Sequence, residues 1–223
     1  MVWGIPVGNG SVQIWHDSTW EGRPAWRILA TGQTTGIISL FYRVNDSMES
    51  LCDPKTMLPY VFRVHFEEGK YRRIQEYRFD QDQLRIRGLH GSELAMEQPT
   101  YDPLSAILYL RSAALMEGTV LKGSVSDGRK IYRMQADVKV DKKNVAGRET
   151  PIWVLEPKME SVELGGILAK QKFRRIVAWF TQDSDRVPIL VKGDLFFGAL
   201  VAKLDERSVR PSSNSEDKPS RVR

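Results

Sequence analysis

The chain has 223 residues, of which 41% are hydrophobic, so it can bury a sizeable core in one large domain or two small ones. Its 33 lysines and arginines against 28 aspartates and glutamates give a formal net charge of +5, and part of this excess lies at 207–223. The one cysteine, Cys52, excludes an internal disulfide and a cysteine-built zinc site. The sequence has no run of about 18 apolar residues, so no transmembrane helix is predicted. The start MVWGIPVGNG lacks the features of a signal peptide.

The first part of the chain is predicted to form strands joined by turns. The segments SVQIWHDSTW (11–20) and AWRILATG (25–32) flank the turn EGRP, a pattern typical of a hairpin. The segment ISLFYRVNDSMESL (38–51) has no regular period, so we expect a short helical turn that leads into a strand. After a turn-rich joint at 52–59, side chains at 60–67 alternate with a period of two, which predicts a half-buried strand followed by a return strand.

One segment, DPLSAILYLRSAAL (102–115), is predicted to be the principal helix. Asp102 is a favourable N-cap, and Pro103 occupies the first helical position, where its missing N–H removes no helical hydrogen bond. The helical period predicts one broad apolar face, with Leu110 and Ala114 at its edge. The residues of that face are Leu104, Ile107, Leu108 and Leu115.

Strands are predicted again after the helix. Two segments flank Asp127-Gly128, which is a strong signal for a hairpin turn. A further strand is expected at 149–157 and a long connection at 158–172. The last two strands, at 173–181 and 186–204, flank the turn QDSD.

These elements predict a mainly β (α+β) fold with one β-rich domain at 1–204. Many strands with hairpin connections form most economically a strongly curved antiparallel meander or a partly open β-barrel, with the helix on its concave side. The segment at 205–223 has almost no apolar residues and is predicted to be a disordered polar tail.

No stretch of the sequence contains a recognisable catalytic arrangement. The histidines His16, His65 and His90 are far apart and lack the spacing of metal ligands. Ser11 and Ser124 lack the flanking glycines of a nucleophile elbow, and no glycine-rich loop ends in Lys-Ser or Lys-Thr. We therefore expect a non-enzymatic protein with no metal and no cofactor.

Two basic clusters, KYRR (70–73) and KQKFRR (170–175), each contain an aromatic residue. Basic and aromatic side chains together can bind single-stranded nucleic acid. Charged residues also keep the outer face of a sheet soluble, and this interpretation is favoured here. Because the clusters also fit nucleic-acid binding, a nucleic-acid-binding β-module is the alternative, less favoured function.

Six stretches, in order and spanning nearly everything up to Leu204, resemble one bacterial family. They are WGIPVG (3–8), SLFYRVNDSMES (39–50), LPYVFRVHFEEGKYRR (58–73), EYRFD (76–80), DPLSAILYLR (102–111) and AWFTQDSDRVPILVKG (178–193). The family is the domain of unknown function 3108, whose name assigns no activity. Its members usually begin with an export signal and an extra strand before the segment similar to WGIPVG. The resemblance therefore implies a truncated start and a periplasmic or envelope location, whereas a genuine start at Met1 implies the cytoplasm.

The predicted meander is similar at fold level to the half-barrels of outer-membrane lipoprotein carriers. We therefore expect a non-enzymatic envelope protein that binds a lipid or another hydrophobic small molecule, or acts as a scaffold for an envelope protein. The residues expected to line the ligand site are Phe41, Tyr42, Leu104, Ile107, Leu108, Leu115 and Trp179.

Five residues in the segments that resemble the family are expected to have structural roles. Asp102 and Pro103 begin the helix. Asp183 and Arg186 are expected to pair across a turn, and Pro188 to open the following strand, where a proline is tolerated.

Overall fold

The structure, a computed structural model, describes residues 8–36, 38–145, 147–162, 176–195 and 198–203. Within these residues the chain forms thirteen strands and two helices. In chain order they are β1 (Gly8–Trp20), β2 (Arg23–Thr34), α1 (Ile38–Phe41), β3 (Asn45–Cys52), β4 (Pro59–Glu68), β5 (Tyr71–Asp80), β6 (Arg85–Gly88), β7 (Glu93–Ala95), α2 (Pro103–Ser112), β8 (Val120–Ser126), β9 (Ile131–Val145), β10 (Arg148–Val162), β11 (Ile176–Thr181), β12 (Pro188–Leu195) and β13 (Gly198–Lys203).

The strands form two antiparallel sheets, and each sheet follows the order of the chain. Strands β1 to β7 form a seven-stranded sheet, and β8 to β13 form a six-stranded sheet. Every paired neighbour is consecutive in sequence, so both sheets are meanders built from hairpins. The predicted mainly β, antiparallel fold is confirmed. The strands are, however, divided between two sheets, and the division falls where the chain passes through α2.

The predicted hairpins are present, and the backbone conformation and hydrogen bonds of their turns stabilise them. At the β1–β2 turn, Glu21 and Gly22 both have positive φ (49° and 78°), and Trp20 pairs with Arg23. This two-residue turn matches the twist of the flanking strands. At the β8–β9 turn, Asp127 Oδ1 accepts hydrogen bonds from the backbone N–H groups of Arg129 and Lys130. A side chain that bonds the following backbone closes a turn locally, which explains why sequence patterns find it.

Two predictions about the second half of the chain are wrong. Strand β10 continues to Val162, which pairs with Ile131, so the start of the expected connection at 158–172 belongs to a strand. The long β9 provides backbone partners along that whole length. The expected final strand at 186–204 is a hairpin of β12 and β13, closed where Leu195 pairs with Gly198. The rest of the predicted connection, and the predicted tail, lie outside the described residues.

Helix α2 lies between the two sheets and contributes to the core of each. Leu104 and Leu108 pack in one cluster with Phe62 of the seven-stranded sheet. Ala106 and Leu110 pack in the other, which includes residues of the six-stranded sheet. The predicted single apolar face is therefore wrong, because a helix between two sheets buries side chains in both directions.

The helix also ends earlier than predicted. Its last residue is Ser112, and Ala113 has an extended conformation with ψ 153° while its N–H still bonds the carbonyl of Tyr109. Leu115 therefore lies beyond the helix, half-buried against the second cluster. The predicted N-terminus is confirmed, since Asp102 is the N-cap and Pro103 begins the helix.

Candidate functional site

The start of α2 contains a fully buried carboxylate. Asp102 Oδ1 accepts hydrogen bonds from the backbone N–H groups of Leu104 (2.7 Å) and Ser105 (3.0 Å), and the Ser105 hydroxyl accepts one from the Asp102 N–H (3.0 Å). The Ser50 hydroxyl of β3 donates to Asp102 Oδ2 at 2.5 Å. Burial raises the pKa of Asp102 to about 6, although these hydrogen bonds act in the opposite direction. Asp102 thus links the helix to the seven-stranded sheet.

The residues before the helix link it to both sheets. Gln81, after β5, exchanges two hydrogen bonds with the backbone of Thr100, and the Thr100 hydroxyl bonds that of Ser124 at 3.0 Å. The Tyr101 N–H donates to the Ser124 carbonyl, and the Ser126 N–H donates to the Tyr101 carbonyl, both at 2.8 Å. This polar junction is buried at Thr100 and Ser124, so its hydrogen bonds are shielded from water.

The end of α2 is bonded to the turn before β12. The Arg186 guanidinium donates to the backbone carbonyls of Arg111 (2.7 Å) and Ala113. In return, the Arg111 guanidinium donates to the carbonyls of Asp185 (2.6 Å) and Arg186 (3.1 Å). A cation at a helix C-terminus also interacts favourably with the helix dipole. The six-stranded sheet thereby holds the end of the helix.

Asp183 and Arg186 pair across the turn as expected, through the Arg186 backbone N–H rather than its guanidinium. Asp183 Oδ1 accepts hydrogen bonds from the backbone N–H groups of Asp185 (3.1 Å) and Arg186 (2.9 Å), which closes the turn. The Arg186 guanidinium points to the helix instead. Pro188 begins β12, opposite Phe180, as predicted.

The seven residues expected to line a ligand site do not share one cavity in the described part of the chain. Leu104 and Leu108 are buried in the first core cluster, whereas Ile107 and Leu115 are half-buried against the second. Phe41 is 83% exposed, and the neighbouring Tyr42 is also exposed, beside the β4–β5 turn at Gly69.

Trp179 lies on the face of the six-stranded sheet opposite the helix. It packs against a cluster with Ile152 and Val154, while its neighbours Ala178 and Phe180 belong to the cluster that contains the helix residues. Successive side chains of a strand point to opposite faces, so Trp179 cannot contact a ligand beneath α2. Lys143 covers it, with Nζ 5.4 Å from the ring centroid.

Cys52 is a buried thiol next to the junction. Burial raises its pKa to about 12, with further contributions from the charges of Asp102 and Asp53. Because the thiolate is the reactive form of cysteine, this side chain is chemically inert near neutral pH. Among the residues the structure describes, no three His, Cys, Asp or Glu side chains are grouped to hold a metal ion.

The outer face of the seven-stranded sheet carries a ladder of alternating charges. Glu49 is bonded by Arg27 (2.6 Å) and Arg63 (2.8 Å), and Glu76 is bonded by Arg63 (2.8 Å) and Arg78 (3.0 Å). Partial burial raises the pKa of each glutamate, but the arginine hydrogen bonds outweigh it and lower both pKa values. A shallow depression of about 300 Å³ lies on this face.

A larger cleft of about 450 Å³ opens between the two sheets. Its walls come from β5, from the β7 region and from the β8–β9 turn, and its residues are Arg73, Gln75, Tyr77, Ser92, Glu93, Leu94, Gly128 and Arg129. Gly128 has φ +85° and lies directly on the Tyr77 ring, where an added Cβ would be 2.3 Å from ring atoms. Only glycine allows this close approach.

Sequence patterns identified one part of this cleft. Arg73 belongs to the predicted basic cluster at 70–73, in which Arg72 forms an ion pair with Glu67 at 3.4 Å. The second basic cluster, 170–175, lies outside the described residues. Ser92 and Arg129 were not predicted, because no local pattern marks residues that meet across two sheets.

The fold therefore defines a class of mainly β proteins in which a helix connects two antiparallel meanders beside an open cleft. The chain belongs to the family described as Protein of unknown function (DUF3108), whose model matches residues 1–205. The crystal structure of a DUF1089 family protein from Pseudomonas aeruginosa is similar at 10% sequence identity and a TM-score of 0.42, over 85% of this chain and 91% of that chain. No curated protein sequence matches the chain significantly. Neither helix in the described part of the chain has the length and apolar character needed to span a bilayer.

Proposed function

We propose that the protein is a non-enzymatic protein of the bacterial envelope that binds a lipid or another hydrophobic ligand in the cleft between its two sheets. The cleft carries the proposal, because its volume of about 450 Å³ is in the range of small-molecule sites. Tyr77 and Leu94 provide apolar surface on its wall, next to the core of the seven-stranded sheet. We propose a periplasmic or envelope location, because the resemblance to the family implies an export signal in its members.

Such a ligand would lie against β5, the β7 region and the β8–β9 turn, which line the cleft. In lipoprotein carriers, to which the meander is similar at fold level, acyl chains lie between a concave sheet and helical lids. Here Leu104 and Leu108 already pack against the seven-stranded sheet, so the proposed ligand site is the cleft and not the space beneath the helix. A scaffold that docks an envelope partner is the other form of the proposal, and it requires no ligand in the cleft.

The non-enzymatic part of the proposal is supported by the structural roles of two buried side chains, Cys52 and Asp102. Cys52 is held as a thiol, and the Asp102 carboxylate accepts hydrogen bonds from the helix start and from Ser50. The alternative of nucleic-acid binding has less support, because Arg72 of the basic cluster at 70–73 is paired with Glu67.

Native mass spectrometry of protein purified from bacterial membranes tests the proposal. We expect wild-type protein to carry a hydrophobic ligand, and Leu94→Gln, which places a polar group in the cleft wall, to reduce its occupancy. Leu89→Gln is the matched control, because Leu89 is exposed and lines the separate outer depression. Equal unfolding temperatures of the two variants would exclude a folding defect. Wild-type protein that is homogeneous and free of ligand would overturn ligand binding.

A further inference from the structure

We propose that the cleft between the sheets binds a phosphate group, held between Arg73 of β5 and Arg129 of the β8–β9 turn. Both arginines line the cleft, one from each sheet. The inference rests on the proposed function only for the hydrophobic part of the ligand, since the phosphate contact is argued from the cleft itself.

Arg73 differs from the arginines of the outer charge ladder. It shares the inner face of β5 with Tyr77, because the two residues are separated by an even number of positions. It is half-buried, and its guanidinium donates a 2.8 Å hydrogen bond to the Tyr77 hydroxyl. By contrast, Arg63 and Arg78 on the outer face each pair with Glu76. No carboxylate of the described residues pairs with Arg73, so a partly desolvated cation faces the cleft without its own anion.

Arg129 faces the same cleft from the other sheet. The contact of Gly128 with the Tyr77 ring sets the position of the β8–β9 turn against β5. Asp127 in that turn accepts hydrogen bonds from the Arg129 and Lys130 backbone, so its carboxylate is engaged within the turn. The structure therefore brings a second arginine to the lining of the cleft.

The remaining groups favour an anion. Glu93 is the one carboxylate among the lining residues, and its charge is already shared by Arg85 and Arg87. The hydroxyl of Ser92 and the amide of Gln75 add neutral hydrogen-bond donors from further directions. Guanidinium groups bind phosphate through paired N–H groups, and a tetrahedral anion accepts bonds from several sides, whereas a carboxylate is planar. A phosphate monoester or a phospholipid headgroup has this chemistry.

Amide NMR titrations of the full chain at low ionic strength test the site with two probes, inorganic phosphate and dihexanoyl phosphatidic acid. We expect saturable shifts centred on Gln75, Ser92 and Arg129. Arg73→Gln and Arg129→Gln should each weaken binding by about tenfold or more, as expected for the loss of a charged hydrogen-bond donor. Arg148→Gln removes the same charge from an exposed position on β10 and should leave binding unchanged.

The results distinguish a soluble phosphate compound from a lipid headgroup. They also distinguish failure of this inference from failure of the proposed function. Equal affinities for both probes indicate a soluble phosphate compound, whereas tighter binding of the lipid indicates a headgroup. Phosphate binding by a protein that carries no hydrophobic ligand from membranes would support this inference while the proposed function fails. No shifts near the cleft, or shifts that Arg148→Gln weakens as much as Arg129→Gln does, would overturn the inference. Arg129 lies in an exposed turn, so its variant is expected to fold normally and the test does not depend on Arg73→Gln alone.

Discussion

The hydroxyl of Ser50 donates a 2.5 Å hydrogen bond to Oδ2 of Asp102, and both side chains are completely buried. The bond joins the third strand of one sheet to the N-cap of the helix that separates the sheets. The carboxylate also accepts two backbone bonds at the helix start. The hydrogen bond between Ser50 and Asp102 therefore couples the start of the helix to the seven-stranded sheet.

We expect Asp102→Ala to destabilise the protein by about 2–4 kcal/mol. The variant loses an N-cap, which contributes about 1 kcal/mol, and leaves the Ser50 hydroxyl buried without its acceptor, which costs about 1–3 kcal/mol. Urea unfolding measures the free energy. Asp82→Ala, at an exposed position, is the control and should change stability by less than about 0.5 kcal/mol. Equal stability of the two variants would contradict the assigned role.

The buried Asp102 predicts a pH dependence of stability. Its pKa is about 6 in the folded protein against an ordinary value of 3.8, so the folded state binds the proton more tightly. Its contribution is therefore fully present below about pH 4 and is lost as the pH rises through about 6, by about 1.4 kcal/mol for each unit of pKa difference. Unfolding free energies of wild type and Asp102→Asn measure it, because the amide does not titrate. A difference between the two proteins that is constant from pH 4 to 7 would disprove the shift.

Arg186→Gln is expected to loosen the end of α2. The guanidinium bonds two backbone carbonyls there, and hydrogen bonds to charged groups contribute about 1.5–3 kcal/mol. For a chain of this size each kcal/mol lowers the unfolding temperature by about 2–4 °C. Calorimetry measures the shift, with Arg148→Gln as the control for loss of charge. Arg186→Lys should restore only part of the stability, since an ammonium lacks the planar fork of a guanidinium.

Gly128→Ala should destabilise the protein more than Gly118→Ala. Both glycines have positive φ, +85° and +80°, so alanine at either position introduces backbone strain of about 1 kcal/mol. Only at Gly128 would the new Cβ collide with a ring, that of Tyr77, whereas nothing lies within 4 Å at Gly118. The difference in unfolding temperature between the two variants measures the contribution of the contact between Gly128 and Tyr77. Equal losses would mean that the turn does not pack on Tyr77.

Cys52 should resist thiol reagents in the native protein. Its side chain is fully buried, and burial raises its pKa to about 12, so thiolate is scarce at pH 8. Ellman's reagent should therefore react only after denaturation, and the single cysteine makes the signal unambiguous. Rapid stoichiometric reaction under native conditions would show that the core around β3 opens readily.

Much of the local structure could be predicted from the sequence. The alternation in β4, the turns at Glu21-Gly22 and Asp127-Gly128 and the start of α2 each depend on residues a few positions apart. The end of the helix could not be predicted in this way. The pattern continues to Leu115, but the helix stops where Arg186, far along the chain, binds its last carbonyls.

The sequence by itself determined the family, the antiparallel hairpins and the N-cap at Asp102, because these follow from short-range periodicity, turn chemistry and matched segments. Only the tertiary structure decided that the strands divide into two sheets, that α2 packs on both, and that Arg73 and Arg129 line the same cleft. The physical reason is that burial and charge pairing between distant segments depend on how the sheets pack. An alternating strand pattern identifies a buried face without specifying which partner covers it.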